Sequence, residues 1–101
     1  MLNNLAKEAF THALSCGLLD RAFTDALKTK MYLQMMQITS EIGEAHNALR
    51  SGDKINLSEE IADILIATLT LAWMVGMDAD KMVRLKMAHN KGRDDHAGAN
   101  L

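Results

Sequence analysis

Residues 40–64 read SEIGEAHNALRSGDKINLSEEIADI. A chain reversal, Ser51-Gly52-Asp53, sits between two acidic motifs, Glu41-Ile42-Gly43-Glu44 and Glu60-Ile61-Ala62-Asp63. Upstream of the reversal, Met31, Met35, Ile38, Ile42, Ala45 and Leu49 alternate steps of four and three, the seam of a helix bundle. A long helix is therefore expected from about Asp25 to Arg50. Downstream, Asn56 or Ser58 can cap a second helix, with Glu59 and Glu60 suited to the positive end of its dipole. So short a turn makes the two helices antiparallel neighbours.

The flanking sequence extends the same architecture. Leu5, Ala6, Ala9, Phe10, Ala13 and Leu14 share one face of a helix from Leu2 to about Ser15, which Cys16-Gly17 ends. Leu18 to Thr24 reads as a connection. The helix after the reversal continues to Val75 and is apolar on nearly every side from Ile64 onward, which predicts burial all round. Gly76 stops it, and Asp78 can cap a fourth helix carrying a basic run from Lys81 to Arg93. The expectation is an all-α, four-helix bundle-like domain over residues 1–93, with a polar tail at 94–101. There is no proline to interrupt these helices. A domain this small buries only about 60–70% of its unfolded surface, so the third helix is expected to build a subunit interface in a homo-oligomer, a dimer or tetramer.

Composition narrows the function. The 101 residues carry 11 Lys+Arg against 13 Asp+Glu, a formal charge of −2, which argues against a simple nucleic-acid binder. The total conceals a segregation. Glu41, Glu44, Asp53, Glu59, Glu60 and Asp63 face only Arg50 and Lys54 in their stretch, while Lys81, Arg84, Lys86, Lys91 and Arg93 run without an acid. The single cysteine, Cys16, allows no internal disulfide, and no basic-then-apolar leader is present; a cytoplasmic protein is expected. The uncharged stretch from Ile64 to Met77 falls short of the roughly 20 residues that span a bilayer, so no membrane partner is expected.

The paired motifs carry the chemistry. Residues three apart share a helical face, so Glu41 with Glu44 and Glu60 with Asp63 each aim two carboxylates one way. Both pairs border apolar seams and should be partly buried. Four converging carboxylates repel one another, and a hard divalent cation, Mg²⁺ or Mn²⁺, relieves that repulsion. Solvated acids on helix faces are the plainer alternative. A di-iron centre is disfavoured because none of His12, His46, His89 and His96 follows a glutamate at the Glu-x-x-His spacing, and thiolate zinc binding is excluded by the lone cysteine. Magnesium held by carboxylates usually meets a substrate phosphate. Lys86, Asn90 and Arg93 share one face of the fourth helix and offer the donors a phosphate needs.

These residues resemble the MazG-type nucleotide pyrophosphohydrolases, in the all-α NTP pyrophosphatase superfamily that also holds the dimeric dUTPases. Ser40 to Ala45 is similar to the first motif, Glu59 to Ile64 to the second, and Lys86 to Arg93 with His96 and Gly98 to the basic C-terminal segment of small phage-type members. The resemblance implies hydrolysis of a nucleoside triphosphate, NTP or dNTP, to the monophosphate and pyrophosphate, in cleansing of the nucleotide pool. Glu41, Glu44, Glu60 and Asp63 would then be Mg²⁺ ligands, and Lys86, Asn90 and Arg93 the triphosphate contacts. One carboxylate would accept the proton of an attacking water, with Glu41 and Glu44 the candidates for this catalytic role. Many relatives carry a second glutamate where this chain has Ser40, so the base stays open.

Other residues read as structure. Met31, Met35 and Met36 are expected on or beside the core seam, Trp73 in the core rather than as a platform for a nucleotide base, and His12 and His46 as surface or satisfied polar residues rather than ligands. Ala67 and Thr70 continue the face of Asp63 with small side chains, leaving room for a nucleotide or for a helix crossing. The rival function is a non-catalytic helical nucleotide-binding or assembly module, in which the acids are structural.

Overall fold

The computed structural model describes residues 2–18 and 22–99. Four helices, α1 (Leu2–Ser15), α2 (Asp25–Ser51), α3 (Lys54–Val75) and α4 (Ala79–Ala99), account for most of them. An isolated bridge between Leu18 and Met77 is the only β pairing among the described residues. The helices pack in pairs, α2 with α3 and α1 with α4, and the two pairs form separate compact units. Among the described residues, no helix is long and apolar enough to cross a membrane.

In the α2–α3 hairpin the turn is built from local backbone chemistry. Thr24 caps α2, its Oγ1 accepting the Leu27 N–H at 3.1 Å. Gly52 ends α2 with φ 71°, a left-handed conformation that glycine adopts without steric penalty. The Asp53 N–H then donates back to Ala48 O at 3.0 Å, and Asp53 Oδ1 accepts the Asn56 N–H at 3.0 Å. Asp53 is thus the cap of α3, and the helix begins at Lys54 rather than at Asn56 or Ser58. Ser58 instead turns its hydroxyl back to Lys54 O at 2.9 Å.

The seam between the two helices departs from the hydrophobic pattern. Leu27, Met31, Gln34, Ile38, Glu41, Ala45 and Ala48 are the sheltered residues of α2, again in steps of four and three. On α3 the sheltered residues are Leu57, Glu60, Ile64, Ala67, Leu71, Ala72, Met74 and Val75. Met31, Ile38 and Ala45 match the expected seam, but Met35, Ile42 and Leu49 are exposed, Leu49 by 64%. The flank turned to α3 carries Gln34, Glu41 and Ala48 instead. Small residues explain the choice, because Ala48, only 2% exposed, and Ala67 let the backbones approach. In the single chain, much of the α3 surface expected at a subunit interface is open. Ile55, Leu65, Ile66, Leu69 and Trp73 are exposed, Trp73 by 70%, and Met36 is exposed as well.

In the α1–α4 unit, Gly17 lies so close to Met82 that a Cβ there would sit 2.9 Å from Sδ. The Asp78 N–H donates to Gly17 O at 2.9 Å, and Asp78 Oδ1 caps α4 by accepting the Lys81 N–H at 3.1 Å. The Phe10 ring stacks on His89 with centroids 4.0 Å apart. Helix α4 runs on to Ala99, so residues 94–99, read as a tail, have helical backbone. Part of the connection expected over Leu18 to Thr24, residues 19–21, lies outside the described residues.

The hairpin's small-residue seam makes a direct prediction. Ala48→Leu overpacks the turn end and should lower stability by about 1–3 kcal/mol, while Ala26→Leu on the exposed face of α2 should change it by no more than about 0.5 kcal/mol. Urea unfolding followed by circular dichroism measures both.

Candidate metal centre

The register of the hairpin decides which side chains meet. Gln34 Nε2 donates to Ala67 O at 2.9 Å, across the two helices. Seven residues further along α2 lies Glu41, and seven back along α3 lies Glu60. Seven residues are two helical turns, so both glutamates return to the same contact face. The chain reversal thereby opposes motifs that are 19 positions apart, counting from Glu41 to Glu60.

Glu41, Glu60 and Asp63 each offer a carboxylate oxygen within 4.8 Å of the others. Glu41 and Glu60 are half-buried and Asp63 is exposed. Glu44 is exposed and stands outside this trio. The expected partial burial therefore holds for Glu41 and Glu60 but not for Glu44 and Asp63. One oxygen of Glu41, Oε1, accepts from Gln37 Nε2 at 3.1 Å. The other, Oε2, is buried without a hydrogen-bond partner, as is Oε2 of Glu60.

Two buried carboxylate oxygens lacking donors are electrostatically unstable when both groups are ionised. A proton is one remedy. Partial burial, then hydrogen bonds and charge from Glu41 and Glu44, push the Glu60 carboxyl from the ordinary 4.5 up to about 7. A hard cation is the other, and the donor set fits it: oxygen ligands only, clustered, and short of partners.

The basic line sits in the α1–α4 unit. Lys86 and Arg93 are exposed, and Asn90 is half-buried with its Oδ1 unpartnered. Lys86 Nζ lies over the Phe10 ring at 5.4 Å from the centroid, a cation–π contact. Arg84, also basic, pairs with Asp80 at 3.1 Å in an exposed ion pair. His12 and His46 are exposed, as expected.

Sequence reasoning overlooked Gln34 and Gln37. Both lie on the α2 face of Glu41 at helical spacing, but an uncharged amide among core positions carries no signal until a partner is visible. Together with Glu41, Asp63, Ile66, Ala67 and Thr70 they line a groove of ≈ 360 Å³.

Comparison with known proteins places these residues in a wider set. The MazG nucleotide pyrophosphohydrolase domain model matches residues 30–98, a span holding both acidic motifs and the α4 line. A dATP/dGTP diphosphohydrolase of Cyanophage S-2L is 37% identical over 57 residues, covering 56% of this chain and 50% of the relative. The chain thus spans about half the length of the curated relative it matches. No solved structure gives a significant match.

The titration of Glu60 can be measured without metal. Its folded value of about 7 exceeds the unfolded 4.5, so the proton is bound more tightly by the folded chain. That contribution is fully present below the unfolded value and is lost as pH rises through the folded one. In chelator-treated protein the melting temperature should fall across this window, and Glu60→Gln should flatten the fall. An identical pH profile in the variant would reject the assignment.

Proposed function

The chain belongs to the MazG nucleotide pyrophosphohydrolase family, and from that premise we propose that it is a divalent-metal-dependent nucleoside triphosphate pyrophosphohydrolase. It converts an NTP or dNTP to the monophosphate and pyrophosphate, in the cytoplasm, and so clears unwanted nucleotides from the pool. The observation that carries the reading is the carboxylate group of Glu41, Glu60 and Asp63, with two buried oxygens unpartnered. The dATP/dGTP activity named for the cyanophage relative favours a purine deoxynucleotide among the substrates.

In this reading Glu41, Glu44, Glu60 and Asp63 hold Mg²⁺, with Mn²⁺ a substitute. A bound divalent cation neutralises phosphate charge and orients the attacking water. Gln37 fixes the Glu41 carboxylate by its 3.1 Å hydrogen bond and so keeps one oxygen aimed at the cluster. The general base is one of Glu41 and Glu44. Glu44 is the exposed member of the pair and Glu41 the one restrained by Gln37, so separate substitutions distinguish them. Lys86, Asn90 and Arg93 contact the triphosphate, Arg93 through its planar fork and Lys86 as a point charge. For Lys86 this requires leaving the Phe10 ring.

Activity should appear as pyrophosphate release from a panel of NTPs and dNTPs with Mg²⁺. Asp63→Asn and Glu60→Gln should each lower kcat/KM by about 100-fold or more, and whichever of Glu41→Gln and Glu44→Gln removes the base should abolish the acid limb of the pH–rate profile. Folded protein that binds nucleotide but releases no pyrophosphate across the panel would instead support a non-catalytic binding module.

Self-association is the second part of the proposal. Met35, Ile42, Leu49, Leu65, Leu69 and Trp73 form exposed apolar surface on α2 and α3, more than a solvated hairpin ordinarily leaves. A dimer or tetramer buries it. Light scattering at micromolar concentration should return at least twice the 11.1 kDa chain mass, and a monomer would contradict the proposal.

A further inference from the structure

We propose that the groove lined by Gln34, Gln37, Ile66, Ala67 and Thr70 holds the nucleoside half of the substrate, with the two glutamines reading the base edge. The inference rests on the pyrophosphohydrolase reading and specifies where that site's selectivity resides. The groove belongs entirely to α2 and α3, and Glu41 and Asp63 line its end nearest the turn. Cleavage between the α- and β-phosphates requires the α-phosphate at these acids. The nucleoside is joined to that phosphate by a single ester oxygen, so it must occupy adjoining space. At ≈ 360 Å³ the groove falls within the roughly 300–1,000 Å³ of small-molecule clefts.

The lining suits a nucleoside better than further phosphate. Away from the acids it offers no cation. It offers one aliphatic wall at Ile66, the small Ala67, and two amides. Each amide is already oriented: Gln34 Nε2 donates to Ala67 O at 2.9 Å and Gln37 Nε2 to Glu41 Oε1 at 3.1 Å. Neither acceptor can donate in return, so the amides cannot flip without losing these bonds. Each retains a second N–H and a carbonyl oxygen, the donor–acceptor pair with which a glutamine matches a base edge. Thr70 turns its hydroxyl to Ile66 O at 3.0 Å, leaving its methyl as a low rim.

Trp73, the only tryptophan, is 70% exposed and follows Thr70 by one helical turn, so its emission reports on the groove. The test titrates the protein with Mg²⁺ and α,β-methylene-dATP, which cannot be cleaved, and separately with Mg²⁺ and tripolyphosphate, which lacks a nucleoside. The analogue should shift Trp73 emission and tripolyphosphate should not. Thr70→Phe fills the groove and should weaken the analogue at least about 10-fold while leaving tripolyphosphate within about twofold. Gln34→Met should raise KM by about 3–10-fold, the effect of one lost hydrogen bond, and unequally among dATP, dGTP, dCTP and dTTP. Analogue and tripolyphosphate weakened alike, or constants unchanged in both variants of an active enzyme, would overturn the groove assignment alone. Absence of hydrolysis by the wild-type protein would overturn the underlying reading and the groove with it.

Discussion

Two glutamates placed face to face in the seam of a helical hairpin set the terms for this molecule. Glu41 and Glu60 occupy positions that a bundle normally fills with leucine or isoleucine, and each keeps a buried oxygen without a donor. Burial first, then hydrogen bonding and like charge from Glu41 and Glu44, disfavour ionisation here and displace the Glu60 carboxyl to about 7. The hairpin tolerates the pair because the rest of the seam is favourable: Met31, Ile38, Ile64 and Leu71 supply apolar contact, and Gln34 ties α2 to the α3 backbone. Under the proposed function, a divalent cation would supply the counter-charge that these oxygens lack.

The same hairpin distributes its residues in an unusual way. Alanines and polar side chains face inward, while Met35, Ile42, Leu49 and Trp73 face outward. Small inward residues bring the backbones close enough for short carboxylates such as Asp63 to join Glu41 and Glu60. They also leave the groove beyond the acids, where Ala67 and Thr70 take up little volume. Site and groove are therefore consequences of one packing choice, and the outward apolar surface is its complement.

Much of this was legible in the sequence, for identifiable reasons. Glycine at position 52 and the capping acid at 78 are local signals, and the structure uses both. The two acidic motifs declared themselves because each spacing returns its carboxylates to one helical face, although Glu44 and Asp63 proved exposed. The seam was misread at Met35, Ile42 and Leu49 because periodicity ranks faces by hydrophobicity, whereas the contact is set by backbone approach at Ala48 and Ala67. Asp53 was passed over as the α3 cap because Asn56 and Ser58 compete for the role by composition alone. Gln34 and Gln37 were invisible, since what marks them is a partner 33 residues away in one case and an acid in the other.

The central claim is that the opposed carboxylates form a divalent cation site that is closed by a proton when empty of charge. Calorimetric titration with Mn²⁺, run just below the Glu60 value of about 7 in two buffers of different ionisation enthalpy, tests it most directly. The account predicts saturable binding with release of a fraction of a proton per ion, weaker binding without that release in Glu60→Gln, and weaker binding in Asp63→Asn. No saturable binding by the wild-type chain, or equal affinity in all three proteins, would contradict it.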